Sequence, residues 1–289
     1  MPSLSYAAPT TVAEAVSLLT GATGLAKVLS GGTDLLVQYR IGRLKPDTIV
    51  DLKKIPGMSG IKEVNGGFVI GAATSGAVLG EHAALVKAWP GVVEAANLIG
   101  STQVQGRASL AGNLCNASPA ADSVPALIAA NATVTIVGPN GTRTAPVEAI
   151  VTGPGRTSLA KGEFITEFHL PKQAPKTGDA YLRFIPRTEM DIAVVGVGVC
   201  LTLDASGAIA DARVCLGAVA PTQVMVPDGA KAIIGTKLDD AALAKLDAAA
   251  RAACNPITDK RGTIDFRIKV AGVLARRTAA IAFERAKGR

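Results

Sequence analysis

The chain has very few aromatic side chains: one Trp, three Tyr and six Phe, 3% of its 289 residues. That scarcity argues against a nucleic-acid surface built from stacked rings and basic residues. Lysine and arginine outnumber the acids by 30 to 23, for a formal charge of +7, but no run of five or six basic residues occurs. Nucleic acid is therefore not read as a partner. The densest basic segment is Arg267, Lys269, Arg276, Arg277, Arg285, Lys287 and Arg289, which reads as a solvated helix face or a docking face for an acidic partner. Histidine is nearly absent, and His82 and His169 are too far apart in pattern for a metal site, so both read as structural. Cys115, Cys200, Cys215 and Cys254 form no CxxC pair, which points to reduced thiols and against a disulfide framework or a cluster in this chain. Long apolar runs are missing too. The longest, Ile192 to Leu203, is too short to cross a bilayer and reads as a buried strand. Met1 to Val16 lacks a basic start followed by an apolar core, so no signal peptide is expected and the cytoplasm is the expected location.

What the sequence does have is glycine, alanine and a hydrophobic content of 48%, the composition of a close-packed small-residue interior. Its length suits two or three small domains. The most informative stretch is Lys27-Val28-Leu29-Ser30-Gly31-Gly32-Thr33-Asp34-Leu35-Leu36. An apolar strand runs into a glycine pair, then a hydroxyl, a carboxylate and a helix start. Such a turn presents backbone N–H groups to an anion, because glycine has no Cβ to hold the ligand off, and the helix adds its positive end. By itself the pair also reads as an ordinary tight turn. A second loop, Ser109-Leu110-Ala111-Gly112-Asn113 with Ser118-Pro119 and Asp122, is rich in donors as well. Together the two loops can grip both phosphates of one dinucleotide.

Periodicity orders the rest. Thr11-Val12-Ala13-Glu14 opens a helix to about Leu19. Ala26–Leu29 and Thr48–Leu52 read as strands, with a helix from Asp34 to about Arg43 between them. Phe68–Thr74 reads as a strand, Ser75–Lys87 and Gly91–Ile99 as helices, and Gly100–Ala121 as a long irregular loop of the kind that usually carries function. Asp122 caps a helix through Ala130. Ala132–Val137 and Glu163–Leu170 are strands, with a hairpin signal at Pro139-Asn140-Gly141. Pro171–Gly178 reads as a linker. Beyond it Ala180–Pro186, Val194–Asp204 and Ile209–Val219 suggest an antiparallel meander covered by helices over Asp239–Ala253 and Ile264–Lys287.

The order of these motifs, with Ile99-Gly100-Ser101, Arg187 and Asp191-Ile192-Ala193, resembles the FAD-binding medium subunit of the molybdenum hydroxylases over essentially the whole length. This is the family of xanthine dehydrogenase and carbon monoxide dehydrogenase. The resemblance implies an α+β chain with the two-loop (PCMH-type) FAD-binding fold: subdomains over 1–55 and 56–173, and a C-terminal domain over 178–289 with an antiparallel sheet packed with helices. It implies a first pyrophosphate loop of Val28, Leu29, Ser30, Gly31, Gly32, Thr33, Asp34 and Leu35, and a second of Ser109, Leu110, Ala111, Gly112 and Asn113. Asp122 corresponds to a carboxylate on the flavin's polyol, Ile99 and Ile165 to apolar contacts, Arg183 to a cation near the ring, and Ile192 to the residue covering the ring face. FAD would take electrons from two [2Fe-2S] clusters in a small subunit and pass them to NAD⁺, a quinone or another acceptor. A large subunit would hold a molybdopterin-type molybdenum cofactor and choose the substrate, in a heterotrimer that doubles. No acid, base or nucleophile is required of this chain.

Two departures stand out. The second loop reads Ala111-Gly112-Asn113 where Gly-Gly-Asn is usual, which is free of strain only if Ala111 has a negative φ. Gln105-Gly106-Arg107 replaces an Arg-Asn pair. Other readings of single residues stay open: Asp34 and Asp122 as helix caps, Arg183 and Arg187 as surface charges, Cys115 as a small buried thiol. As wholes, a self-contained flavin oxidase of the related fold and a flavin-free scaffold are the rivals; three tyrosines and two histidines are few for the oxidase.

Overall fold

The computed structural model describes residues 4–289. Three strands, Ser5–Ala7, Thr48–Asp51 and Ala26–Leu29, form a parallel sheet with Thr48–Asp51 in the centre. The helix between its first two strands in sequence spans Val12–Gly21, two residues longer than expected. Thr11 caps it, Oγ1 accepting from the Glu14 N–H at 3.2 Å, and the Glu14 carboxylate reaches back past the cap to accept from the Thr10 N–H at 3.0 Å. Ala15 and Leu19 lie one turn apart and fall on the buried face.

The second sheet has five antiparallel strands in the order Ile61–Val64, Gly67–Gly71, Phe164–Leu170, Thr133–Gly138, Gly141–Pro146. Asn65 and Gly66 both have positive φ, as the two-residue hairpin joining the first pair requires. The third sheet is the expected meander, Thr177–Phe184, Val195–Leu203 and Ile209–Gly217, with a short fourth strand, Val224–Met225. Its first strand begins inside the segment read as a linker.

Two apolar cores result. One runs from Ala15 to Leu170, joins both sheets of the first 170 residues and takes in Tyr181 and Cys215 of the third sheet; the other fills the rest of the C-terminal part. The helix Ile264–Lys287 lies close on the third sheet because its buried face is largely alanine: Ala271, Ala275, Ala279, Ala282 and Ala286 are all fully buried. Opposite them a Cβ on Gly178 would come within 2.2 Å of the Ala282 carbonyl oxygen. The sheet also meets the helix Ser123–Ala129, where a Cβ on Gly198 would come within 2.5 Å of the Pro125 carbonyl oxygen. Small residues in the Val195–Leu203 strand thus set where residue 122 sits.

Several local expectations are corrected. The long loop at 100–121 contains two short helices, Thr102–Gln105 and Leu110–Cys115, too brief for an apolar period to show. The helix expected over Ser75–Lys87 is two, Gly76–Glu81 and Ala83–Ala88. His82 breaks the run with a non-helical backbone and caps the second piece through Nδ1, which accepts from the Leu85 N–H at 3.2 Å. Asp122 has helical backbone angles and makes no side-chain cap, and neither does Asp34.

Candidate functional site

The strand Ala26–Leu29 ends against the turn 30–34, and the helix Leu35–Arg40 follows it. Gly32 has φ +81, which favours glycine. Gly31 is required for a different reason: a Cβ there would lie 1.8 Å from the Arg107 carbonyl oxygen. The first turn therefore crosses directly over the chain leading into the second. Where they cross, the Ser30 and Ser109 hydroxyls are 2.7 Å apart and hydrogen-bonded. Ser109 caps its helix, accepting from the Gly112 N–H at 3.1 Å. Ala111 lies inside that helix with negative φ, so its replacement of a glycine introduces no strain.

A cleft of about 570 Å³ opens at this crossing. Of the residues expected at the site, Val28, Ser30, Gly31, Gly32, Thr33, Asp34, Leu35, Ile99, Ser109, Ala111, Gly112, Asn113 and Ile165 line it. Leu29 and Leu110 are buried beneath the wall and hold it from behind. Among the described residues, the N–H groups of Gly31, Gly32, Thr33, Asp34 and Ala111 have no hydrogen-bond partner. Each helix following a turn is six residues long. Their dipoles add little, and these unpaired donors carry the electropositive character. The Asp34 carboxyl is pushed up from its ordinary value by its partial enclosure in the cleft.

Asp122, Arg183 and Ile192 stand outside this lining. Arg183 Nη1 donates to Asp122 Oδ2 at 2.8 Å, and the Tyr181 hydroxyl donates to Asp122 Oδ1 at 3.1 Å, all deep in the protein. Burial pushes the Asp122 carboxyl up to about 6, against the lowering effect of Arg183 and Tyr181. Asp122 still touches the cleft indirectly: the next residue, Ser123, donates through N–H and hydroxyl to Asn113 Oδ1 at 3.1 and 2.7 Å. Ile192 is half exposed and lines a separate 280 Å³ pocket with Pro119, Ile257 and Arg267. The loop carrying it reaches the cleft's edge, where the Met190 N–H donates to the Gly100 carbonyl at 3.2 Å, next to Ile99.

Lys27, the first residue of the glycine-turn stretch, lines the cleft too, as do Leu25, Thr157 and Lys161, which no motif marks. Lys27 is carried there by the strand before the turn; Thr157 and Lys161 arrive only through tertiary folding. Cys115, expected to be a small buried thiol, is exposed to the cleft yet enclosed by protein, and that enclosure pushes its thiol up to about 12. His169 bonds Thr135 within the second sheet. Among the described residues no group of His, Cys, Asp and Glu is arranged to hold a metal, and no helix is long and apolar enough to cross a membrane.

Comparison with known proteins converges on one family. Residues 2–173 match the family described as the FAD binding domain in molybdopterin dehydrogenase, and residues 180–282 the CO dehydrogenase flavoprotein C-terminal domain. The carbon monoxide dehydrogenase medium chain of Hydrogenophaga pseudoflava is 32% identical over 98% of both chains. The xanthine dehydrogenase FAD-binding subunit of Escherichia coli O157:H7 is 33% identical over 76% of this chain and 75% of its own. The solved carbon monoxide dehydrogenase from Hydrogenophaga pseudoflava that lacks the Mo-pyranopterin moiety superposes with a TM-score of 0.94, at 32% identity and 99% coverage of each chain.

The residues present suit FAD. The cleft's volume is in the range of cofactor sites. Unpaired N–H groups and paired hydroxyls at the crossing suit a pyrophosphate, and Ile99 and Ile165 supply apolar walls. The crossing also admits no side chain at Gly31, so the backbone itself forms the surface the anion meets. Cleft, crossing loops and whole-length similarity agree: the chain belongs to the FAD-binding medium subunits of the molybdenum hydroxylases, the family of the carbon monoxide dehydrogenase and xanthine dehydrogenase medium chains.

Proposed function

We propose that this chain holds FAD with its pyrophosphate at the crossing of Ser30–Leu35 with Ser109–Asn113, and relays electrons from the [2Fe-2S] clusters of a small partner subunit to an external acceptor. NAD⁺, a quinone or another carrier fits that role. Bound FAD supplies the conversion between single-electron and two-electron transfer. A large partner subunit carries the molybdenum cofactor and performs the hydroxylation, in a heterotrimer that doubles and resides in the cytoplasm. The observation that carries this reading is the set of unpaired N–H groups at the crossing of two loops far apart in sequence.

The chain's own residues then have distinct tasks. Gly31, Gly32, Thr33, Asp34 and Ala111 offer backbone donors; Ser30 and Ser109 lock the loops together; Ile99 and Ile165 wall the cofactor off from water. Asp122 and Arg183, joined to Asn113 through Ser123, support the second loop and would serve the polyol and ring of bound FAD from behind it. Ile192 lies outside the cleft lining, on the loop whose Met190 N–H reaches the Gly100 carbonyl, and would cover the ring face of bound FAD from there. The units are residues 1–55 and 56–173, sharing one core, and 178–289, which has a core of its own and lends Tyr181 and Cys215 to the first; the family matches at 2–173 and 180–282 favour a boundary between the last two.

Gly32→Val tests the loop assignment. The φ of +81 and the approach of Leu29 Cδ1 to within 2.9 Å leave no room for a side chain. The purified variant is expected to fold with the same circular dichroism and to lose its flavin. Stoichiometric flavin in that variant contradicts the assignment.

A further inference from the structure

Ala26–Leu29 pairs in parallel with Thr48–Asp51, and Leu29 stands opposite Asp51. That register sets the residues following the two strands side by side: Ser30 beside the short 3₁₀ turn Leu52–Lys54. There Lys53 Nζ donates to the Ser30 carbonyl oxygen at 2.8 Å and to Asp51 Oδ1 at 2.7 Å. Asp51 also accepts from the Lys53 N–H at 3.0 Å, and its Oδ2 accepts from the Tyr6 hydroxyl at 2.8 Å. Burial acts to raise the Asp51 carboxyl, but the hydrogen bonds from Lys53 and Tyr6 outweigh it and hold the group below its ordinary range. Asp51 is thus ionised at neutral pH and fixes the ammonium in place. Lys53 does not line the cleft, although Leu52 does.

A trans peptide carries its C=O and N–H on opposite sides. With the Ser30 carbonyl held by Lys53, the N–H of Gly31 turns to the side away from the lysine. That N–H has no partner among the described residues, and Gly31 lines the cleft. A positive charge on the carbonyl also polarises the peptide unit and strengthens its N–H as a donor. Released, the same carbonyl can swing toward the cleft, where its lone pairs repel an anion. We propose that Lys53, held by Asp51, which Tyr6 in turn braces, is a positioning residue for the cofactor's pyrophosphate: from behind the first loop it sets and polarises the Ser30–Gly31 peptide. The inference rests on the reading that this loop holds the pyrophosphate.

The test is ligand binding to the deflavinated full chain, by fluorescence quenching for FAD and by calorimetry for ADP and riboflavin. Lys53→Met keeps the aliphatic stem and removes the charged donor. It is expected to weaken FAD and ADP about tenfold, the size of one lost charge-assisted contact, and to leave riboflavin, which has no phosphate, unchanged. Lys53→Arg is expected to restore most of the affinity. If Lys53→Met does not fold, Lys53→Gln takes its place, with a smaller loss in the same pattern. Unchanged FAD and ADP affinity overturns the proposal, and so does an equal loss for riboflavin, which signals a generally loosened cleft. Gly32→Val in the same assay separates this inference from its basis. FAD lost there but kept in Lys53→Met refutes the lysine's role alone; FAD kept in both refutes the loop assignment.

Discussion

Replacing Gly31 with alanine puts a Cβ 1.8 Å from the Arg107 carbonyl oxygen and 2.6 Å from its carbon, where real contacts stay beyond 3.0 Å. Both partners are backbone, so no side-chain rotation relieves the overlap, and the two loops must part by more than about 1 Å. The Ser30–Ser109 bond, 2.7 Å at present, is then stretched past hydrogen-bonding range. Losing it costs about 1 kcal/mol and the residual strain about 1–3 kcal/mol, or roughly 2–4 kcal/mol together. In a chain of this size each kcal/mol lowers Tm by about 2 °C, so a fall of roughly 4–8 °C is expected. The parted loops also no longer present their donors to one pyrophosphate, so flavin content should drop further than stability. Gly21→Ala is the control: nothing lies within 4 Å of its Cβ, and both readouts should stay put. Differential scanning calorimetry and the flavin absorbance of the same preparations are the assays. A Gly31→Ala protein with unchanged Tm and full flavin would refute the crossing-loop argument.

Other perturbations follow from buried charge. Arg183→Met strips Asp122 of its cation and should cost about 3 kcal/mol at pH 8, read by urea denaturation. The cost should shrink as pH falls from 8 toward about 6, because the carboxyl, freed of the arginine's lowering effect, takes up its proton earlier in the variant. Asp179 is buried with Oδ1 unpaired, and burial pushes its carboxyl up to about 7 despite Arg289, the Val92 N–H and Arg285. A folded value above the unfolded one favours the protonated form, so its contribution is complete below about pH 4 and lost as pH rises through about 7. Asp179→Asn should flatten the fall in urea stability between pH 5 and pH 8, and an unchanged slope would contradict this. Cys115 faces the cleft, so maleimide should label it slowly in the deflavinated chain, faster as pH approaches 10, and not when FAD is bound, as mass spectrometry can show.

The sequence exposed those parts of the site that depend on local chemistry. Gly31-Gly32 and Ser109 mark themselves because a tight crossing needs glycine and a helix start needs a hydroxyl. The close approach of Gly196 to Tyr181 and of Gly198 to the Pro125 carbonyl could not be read from the Val195–Leu203 strand, because a glycine does not say what packs on it. Lys53 was invisible because its meaning depends on the parallel register of Leu29 with Asp51. The Asp122–Arg183 pair depends on a contact across 61 residues, so each residue alone looked like a cap or a surface charge. The strand Ile61–Val64 was overlooked although Asn65-Gly66 is a strong hairpin signal, because its exposed, charged residues show no alternation. Resemblance to a known family supplied what no local pattern held: the identity of the cofactor and the existence of partners.

The proposed role, flavin-bearing member of a molybdenum-dependent electron-transfer assembly, is open to test in the intact complex. The most direct measurement is the flavin, iron and molybdenum content of the complex recovered from its native host through a tag on this chain. The account predicts FAD with about four irons and about one molybdenum per copy, all iron and molybdenum in co-purifying subunits. A chain that purifies alone with FAD and turns over a substrate by itself would contradict the account, and so would a complex without flavin.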